Sequence, residues 1–249
     1  MGEVTPEIGQ EGLEADVLEV LAAKPGTWQV VLAAMDRGIE TPAGRRRVLL
    51  ALASSAPEPA KAETVAARVP AIGHEGHEGE VLLALIRAGT PLDAVLQAMR
   101  RALTTPAAKA AVLGALVERV DLTRAEQDLV TRAVPEVGQE ALEERLLVVL
   151  AGKGTASTAV LLATAEAGLR GLPARRAVLR ALARREALST ADADQVAAAA
   201  PRVLDGDGAV EVLLQLVGRA SPAALEGAAE DLREAADRAR VRAALARGS

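Results

Sequence analysis

Residues 70–76 read Pro-Ala-Ile-Gly-His-Glu-Gly, and three further copies of this stretch lie along the chain. They begin at Pro6, at Pro135 and, in a weaker form, at Pro201, so the copies are 64, 65 and 66 residues apart. The fifteenth residue after each proline is a leucine: Leu21, Leu85, Leu150 and Leu216. Self-similarity at a fixed period is typical of repeat architectures. The sequence therefore predicts a repeat of about 65 residues.

Each period contains two similar halves. Val17-Leu18 with Leu21 returns 31 residues later as Val48-Leu49 with Leu52. The next two periods show the same doubling, with shifts of 31 and 32 residues. A half-period of about 32 residues has room for two short helices and a turn. The sequence therefore predicts a series of helical hairpins.

Turn and capping residues mark the predicted helix ends. Apolar residues at helical spacing predict a first helix over 11–24, which Pro25-Gly26 would end. Thr27 is expected to cap the second helix. Thr41-Pro42 combines an N-cap with a first-turn proline and predicts a third helix that runs to about Ser54. Further helix starts are predicted at Pro57 and Pro59, at the capping box Thr123–Glu126, and at the looser Ser189–Asp192.

The composition favours an all-α protein and excludes several kinds of site. Hydrophobic residues make up 50% of the chain, yet Phe, Tyr and Cys are absent, and Ala, Leu and Val dominate the apolar set. Strands favour aromatic and β-branched residues, whereas Ala and Leu favour helices. Without cysteine, the chain has no disulfide, cysteine-ligated zinc or iron–sulfur cluster.

Charge and hydropathy bound the location and the partners. No apolar run approaches the roughly 18 residues that a membrane span needs, and the first residues lack the pattern of a signal peptide. We therefore expect a soluble, cytoplasmic protein without membrane contact. The net charge of −5 and the single tryptophan argue against nucleic-acid binding.

The period and the pairing of helices resemble the HEAT-like class of α-helical repeats over nearly the whole chain. A hairpin of this size cannot bury its apolar face alone, whereas stacked hairpins share a continuous core. The resemblance implies an α-solenoid that forms a single domain over 1–249, with two hairpins in each period. The predicted repeats cover approximately 6–69, 70–134, 135–200 and 201–249.

A basic residue recurs three positions before a valine in alternate half-periods. These residues are Arg45, Lys109, Arg175 and Arg238, and Arg46 and Arg176 broaden the set. One interpretation is a basic strip that binds an acidic peptide or phosphate. The other is an internal ladder with the recurrent Glu11, Glu75 and Glu140. We favour the internal ladder, because surface cations are usually solvated or paired locally.

Trp28 is the single tryptophan, and it begins the predicted second helix. An exposed tryptophan is a typical anchor for a partner protein. The side chain could equally fill the first hairpin or staple the start of the helix, and the sequence leaves these alternatives open.

The two histidines of the chain, His74 and His77, would share a helix face with Glu78 and could ligate a metal. Their His-Glu pairs resemble those of the HEAT-repeat, iron-dependent deoxyhypusine hydroxylases. That family carries four such dipeptides over two repeat halves, whereas here both are adjacent. The matching copies read Gln10-Glu11 and Gln139-Glu140. We therefore predict variation at a structural position, with no metal and no cofactor.

These patterns together favour a non-catalytic scaffold or adaptor that binds another protein or peptide along the solenoid surface. The candidate partner-binding residues are Trp28, Arg45, Arg46, Lys109, Arg175, Arg176 and Arg238. A first alternative is a binder of anionic polymers or phosphate that uses the recurrent basic residues. A second is a metal-dependent enzyme around His74 and His77. No catalytic residue is predicted, and the oligomeric state stays open.

Overall fold

The computed structural model describes residues 5–55 and 58–248, with side chains over 11–55 and 58–247. The described chain forms fifteen α-helices and two short 3-10 helices, and it contains no strand. The prediction of an all-α protein is therefore confirmed. Among the described helices, none combines the length and the apolar character that crossing a membrane requires.

The chain divides into two compact units, Met1–Leu116 and Val117–Ser249. Each repeat of an array contacts only its neighbours. A single array can therefore divide into compact units, just as a chain of separate domains does. The single domain expected over 1–249 therefore stays a prediction. The helices that begin in the first unit are α1 (Thr5–Ala22), α2 (Trp28–Gly38), α3 (Pro42–Ser54), α4 (Pro59–Arg68), α5 (Glu75–Arg87), α6 (Leu92–Ala102) and α7 (Pro106–Glu118).

The second unit continues the same succession of short helices. They are α8 (Arg124–Ala133), α9 (Glu140–Lys153), α10 (Thr158–Gly168), α11 (Leu172–Ala183), α12 (Thr190–Val203), α13 (Gly206–Leu216), α14 (Pro222–Glu230) and α15 (Ala235–Gly248). The two 3-10 helices are Val69–Ile72, before α5, and Val134–Val137, before α9.

Capping hydrogen bonds confirm most of the predicted helix starts. The hydroxyl of Thr41 accepts from the backbone N–H three residues later at 3.2 Å. The pair Thr123–Glu126 forms a complete capping box at the start of α8. The pair Ser189–Asp192 begins α12, with the serine hydroxyl accepting a backbone bond of 3.1 Å. The fourth helix begins at Pro59, and Pro57 lies outside the described residues.

Thr27 occupies the predicted N-cap position of α2, but its side chain makes no capping hydrogen bond. Its hydroxyl donates backwards, to the carbonyl of Leu21 at 2.6 Å and to that of Lys24 at 2.8 Å. The C-terminal carbonyls of a helix have no intrahelical donor, and Thr27 supplies one for α1. The first helix accordingly ends at Ala22, slightly earlier than predicted.

Within each unit, consecutive helices pack together and alternate helices form rows. In the first unit α1 contacts α2 and α3, α3 contacts α5, and α4 contacts α6. In the second unit one row contains α9, α11, α13 and α15, and the other contains α8, α10, α12 and α14. Leu, Val and Ala supply most of the buried side chains, whose small volumes suit close packing of helices.

The prolines of the repeated stretch adopt two different structures. Pro70 and Pro135 lie in the 3-10 helices, and each is followed three residues later by a glycine with φ of 74° or 76°. Pro201 instead lies inside α12, and the corresponding residue is Leu204, with φ of −120°. Glycine adopts positive φ without steric cost, whereas leucine does not. The fourth copy therefore extends its helix and loses the turn.

Candidate functional site

Recurrent arginines bond to main-chain carbonyls at helix ends. The Nε of Arg45 donates to the carbonyl of Ile39, directly after α2, at 2.8 Å, and a second nitrogen reaches the carbonyl of Ala71. A cation at a helix C-terminus satisfies unpaired carbonyls and complements the helix dipole. The same contact joins Arg175 to Leu169 at 2.8 Å and Arg238 to Leu232 at 2.6 Å.

The remaining members of the basic set also have partners. Arg46 pairs with Glu80 of α5. Arg176 lies 2.8 Å from the carboxylate of Asp205, which caps α13. Lys109, in α7, also has an interaction partner. A role for these cations in binding a partner therefore stays a prediction, and each arginine already serves the packing of helices.

Each recurrent glutamate accepts hydrogen bonds from backbone N–H groups at the start of the second helix after its own. Glu11 Oε1 accepts from the N–H groups of Glu40 and Thr41, at 2.9 and 2.7 Å, directly before α3. In the same way Glu75 accepts from Thr104 and Thr105, and Glu140 from Arg170 and Gly171. These backbone bonds lower the pKa of all three carboxyls. The recurrent charges thus serve helix ends, with carboxylates at N-termini and guanidiniums at C-termini.

Two further glutamates, Glu78 and Glu143, are buried, with 4% and 5% of their surface exposed. Each accepts from the N–H of a turn glycine, Gly73 at 3.1 Å and Gly138 at 2.9 Å. Desolvation raises the pKa of both carboxyls, because burial disfavours the charged form. A raised carboxyl pKa is common in catalytic acids. Here, however, each carboxyl accepts a hydrogen bond from the turn that precedes its own helix, which gives it a structural role.

The two histidines lie at the start of α5. His74 is the N-cap, and its Nδ1 accepts from the N–H of His77 at 3.4 Å, so it precedes the helix. The two rings lie 4.3 Å apart between centroids. The Nδ1 of His77 is buried without a hydrogen-bond partner, and desolvation lowers the pKa of this imidazole. Among the described residues, no group of three or more His, Asp or Glu side chains could hold a metal ion.

Trp28 begins α2 and is half-buried. Its Nε1 donates to the carboxylate of Glu58 at 3.2 Å, and Glu58 is the N-cap of α4. The tryptophan therefore links the starts of two helices, a contact that none of the sequence alternatives described. Its use as an anchor for a partner stays a prediction.

Two arginines outside the predicted set also cap helices. Arg185 is 6% exposed and donates to the carbonyls of Ala151 at 2.6 Å and Ala156 at 3.0 Å. Arg219 donates to the carbonyl of Ala183, at the end of α11. Burial lowers the pKa of Arg185. Both residues follow the end of a helix in the same row, and this shared position is the sequence signal that could have found them.

The first hairpin exposes an apolar groove. Leu13 and Val17 of α1 are 67% and 59% exposed, and they line an open groove of about 570 Å³ between α1 and α2. We call this surface the α1–α2 groove; its lining residues are Leu13, Glu14, Val17, Leu18, Ala34, Arg37 and Gly38. On α1 the exposed row continues to Val20, which is 64% exposed.

The sequence of α1 contains a signal for this groove. Leu13, Val17 and Val20 form one apolar row at helical spacing, and Ala15 and Leu18 belong to another, buried row. A helix that is apolar on two sides is typical of an element with neighbours on both. The second row therefore predicts a neighbour beyond α2 and α3.

The same positions are covered in the next copy of the motif. The counterpart of Val17 is Val81 in α5, which is 0% exposed, and the counterpart of Ala34 is Ala98 in α6, which is 2% exposed. Helix α5 has α3 as an earlier neighbour in its row, whereas no described helix precedes α1. The exposed row of α1 therefore corresponds to the surface of α5 that is buried beside the preceding helix, α3.

No protein-family model, curated protein or solved structure matches the chain. The HEAT-like resemblance therefore depends on the repeat and on the pairing of helices alone.

Proposed function

We propose that the protein is a non-catalytic interaction scaffold that binds another protein through the α1–α2 groove. The observation that carries this proposal is the exposure of Leu13 and Val17, at 67% and 59%, in one open groove. Scattered single hydrophobic residues are ordinary on a protein surface, whereas aliphatic side chains that are exposed together in a groove are candidates for an interaction site. Burial of these aliphatic side chains would supply the binding free energy.

The architecture proposed for the scaffold is an α-solenoid of HEAT-like hairpins with a period of about 65 residues. The alternate rows of helices within each unit support it, as do the carboxylates that recur at equivalent helix starts. We also propose a cytoplasmic location, as the sequence predicts. Cell fractionation tests that location.

A non-catalytic role is supported by the surroundings of the titratable groups. The carboxyls with raised pKa, Glu78 and Glu143, are each bonded to the N–H of a turn glycine. Catalytic groups in contrast converge on one cleft, where a substrate reaches several of them together. The basic set supports the anionic-ligand alternative weakly, because Arg45, Arg175 and Arg238 already donate to backbone carbonyls.

Affinity capture with matched variants tests the proposal. Val17→Asp places a charge in the α1–α2 groove, while Val120→Asp makes the same change at a lone valine that is 96% exposed. We expect the immobilised wild-type chain and Val120→Asp to retain the same proteins, identified by mass spectrometry, and Val17→Asp to lose them. Retention should persist at about 1 M salt, where the Debye length is about 3 Å.

Two results would count against the proposal. Equal capture by all three chains would place the interaction elsewhere. Capture that collapses with salt and survives in Val17→Asp would instead favour the anionic-ligand alternative, since counterion release makes such binding steeply salt-dependent.

A further inference from the structure

We propose that the pair His74–His77 makes the start of α5 sensitive to pH, so that proton uptake by this pair opens the first turn of α5 and releases the start of α7. The pair belongs to one copy of the motif, since the corresponding residues of the third copy are Gln139 and Leu142. The proposal does not depend on the α1–α2 groove.

The ring of His74 is folded over the first turn of α5. Its Nδ1 accepts from the backbone N–H of His77 at 3.4 Å, which caps the helix. A Cβ on Gly76 would lie 3.3 Å from Cε1 of His74, so the glycine leaves room for the ring. The Nδ1 atom accepts only while it carries no proton. Protonation of His74 therefore sets two donors against each other at the cap.

The ring of His77 lies close to that of His74, with 4.3 Å between the centroids. Its Nδ1 is buried without a hydrogen-bond partner. Both rings lie at the N-terminal end of a helix, where the helix dipole disfavours a cation. Burial lowers the pKa of His77, and the nearby His74 and Arg46 lower it further. Positive charge on this pair is therefore opposed from several sides.

The charges that act on His77 in the described structure are His74, Arg46 of α3 and Glu80 of α5. The described parts of α4 and α6, which also contact α5, add none to this set. Glu80 favours the protonated imidazole, but it already accepts from Arg46, and its influence is the smallest of those acting on His77. The neighbouring carboxylates of Glu75 and Glu78 likewise accept from backbone N–H groups. The surroundings therefore compensate poorly for a proton on the pair.

The third copy shows that loss of the cap bond alone does not open the turn. Gln139 occupies the N-cap position without a side-chain cap bond. Glu140 nevertheless accepts from the N–H of Gly171 at 2.6 Å, as Glu75 accepts from that of Thr105 at 2.7 Å. Opening must therefore come from the positive charge of the protonated histidines, which the third copy cannot acquire.

The first turn of α5 also holds the start of α7. Glu75 is the first residue of α5, and its carboxylate accepts from the N–H groups of Thr104 and Thr105. When the turn opens, these groups lose their acceptor. The backbone bonds lower the pKa of Glu75 and of Glu140, so both carboxylates stay ionised at pH 5.5. The change between pH 7.5 and pH 5.5 is therefore not caused by either carboxylate.

Amide hydrogen exchange on the full chain tests the proposal. NMR follows the N–H groups of Thr105 and Gly171 at pH 7.5 and pH 5.5, with the intrinsic exchange rates divided out. We expect the protection of Thr105 to fall at least about threefold relative to that of Gly171 on acidification, because a cation at a helix N-terminus is unfavourable. The imidazole resonances of the two histidines report proton uptake in the same samples.

The matched variant carries His74→Gln and His77→Leu, which supply the residues of the third copy. We expect the protection of its Thr105 to follow that of Gly171 at both pH values. Circular dichroism at pH 7.5 must first show wild-type helix content. The comparison of Thr105 with Gly171 in the wild-type chain holds even if the variant does not fold.

Three results would overturn the proposal. A constant ratio of the two protections, while the imidazole resonances titrate, would show that protonation leaves the turn closed. Resonances that do not shift down to pH 5.5 would show that the pair takes up no proton in this range. An equal fall in the double variant would assign the effect to another group, such as Glu78.

Discussion

Val17 of α1 and Arg242 of α15 are both exposed, but one is aliphatic and the other is a cation that pairs with Glu230 of α14 at 3.6 Å. Val17 is 59% exposed, whereas its counterpart Val81 is fully buried. Arg242 is exposed at the position that the buried Leu49 and Leu179 occupy in α3 and α11. Terminal repeats need a polar outer face to remain soluble. Helix α15 presents an exposed arginine at this position, whereas α1 presents exposed aliphatic side chains.

The largest expected effect is the difference in unfolding free energy between two variants, one at a packed copy and one at an exposed copy of the same repeat position. Val81→Asp buries a charge without a partner and should lower the free energy of unfolding by about 4 kcal/mol or more. Val17→Asp should change it by less than about 0.5 kcal/mol, because the side chain is already in water. Urea denaturation followed by circular dichroism measures both values. Similar losses in the two variants would show that Val17 is packed and would remove the contrast between the ends.

A smaller effect concerns His77, which occupies the position of Leu13 at the start of α5. Burial lowers its pKa, and the neighbouring His74 and Arg46 add to this. Protonation therefore favours the unfolded chain. The contribution of neutral His77 to the free energy of unfolding is fully present above the unfolded-state pKa of about 6.5. It is lost as the pH falls towards and through the lower pKa of the folded state.

His77→Leu restores the leucine of the other copies and removes this titration. We expect the melting temperature of the wild type to fall by a few degrees more than that of the variant between about pH 7.5 and pH 5.5. Glu78 and Glu143 are present in both chains, so the difference isolates His77. Parallel melting curves across this range would contradict the assigned burial of the imidazole.

The smallest expected change in stability tests α15. Arg242→Leu should alter the free energy of unfolding by less than about 0.5 kcal/mol, because the residue is exposed. It should nevertheless promote concentration-dependent self-association, since a new apolar patch can meet the α1–α2 groove of another copy in a heterologous contact. Sedimentation velocity measures the effect.

Arg247→Leu is the matched control for Arg242→Leu, because the corresponding Ser54 and Arg184 are exposed within their units. It should remain as dispersed as the wild type. Association of both variants to the same degree would mean that added hydrophobicity, rather than the position of Arg242, causes it.

Much of the fold could be predicted because its signals are local. Thr41-Pro42 and the pair Thr123–Glu126 each determine a helix start from residues within one turn. The role of the Thr27 side chain was misassigned because its hydroxyl can either accept from the N–H groups that begin α2 or donate to the carbonyls that end α1, and the choice depends on the turn between the two helices. The loss of the turn at Pro201 depends on Leu204, whose effect is visible only beside Gly73 and Gly138 of the second and third copies.

The candidate site could not be found in the same way. Leu13 and Val17 fit the helical pattern of a buried element, and only the lack of a described helix before α1 exposes them. The favoured ladder between the basic set and Glu11, Glu75 and Glu140 is not what the hydrogen bonds show. Arg45 and Arg175 donate to carbonyls, which the sequence does not reveal. Such choices depend on where backbone groups stay unpaired after packing.

The bonds that charged side chains make to helix starts and helix ends have a consequence for how the protein acquires its structure during synthesis. Glu75 and Thr105 are 30 residues apart, and Arg185 and Ala151 are 34 apart. Closing such short loops costs little entropy, and chains dominated by near-neighbour contacts fold quickly. Each hairpin can therefore complete its bonds once the next thirty or so residues have left the ribosome. We expect the chain to fold progressively from its N-terminus, with little unfolded protein exposed at any moment.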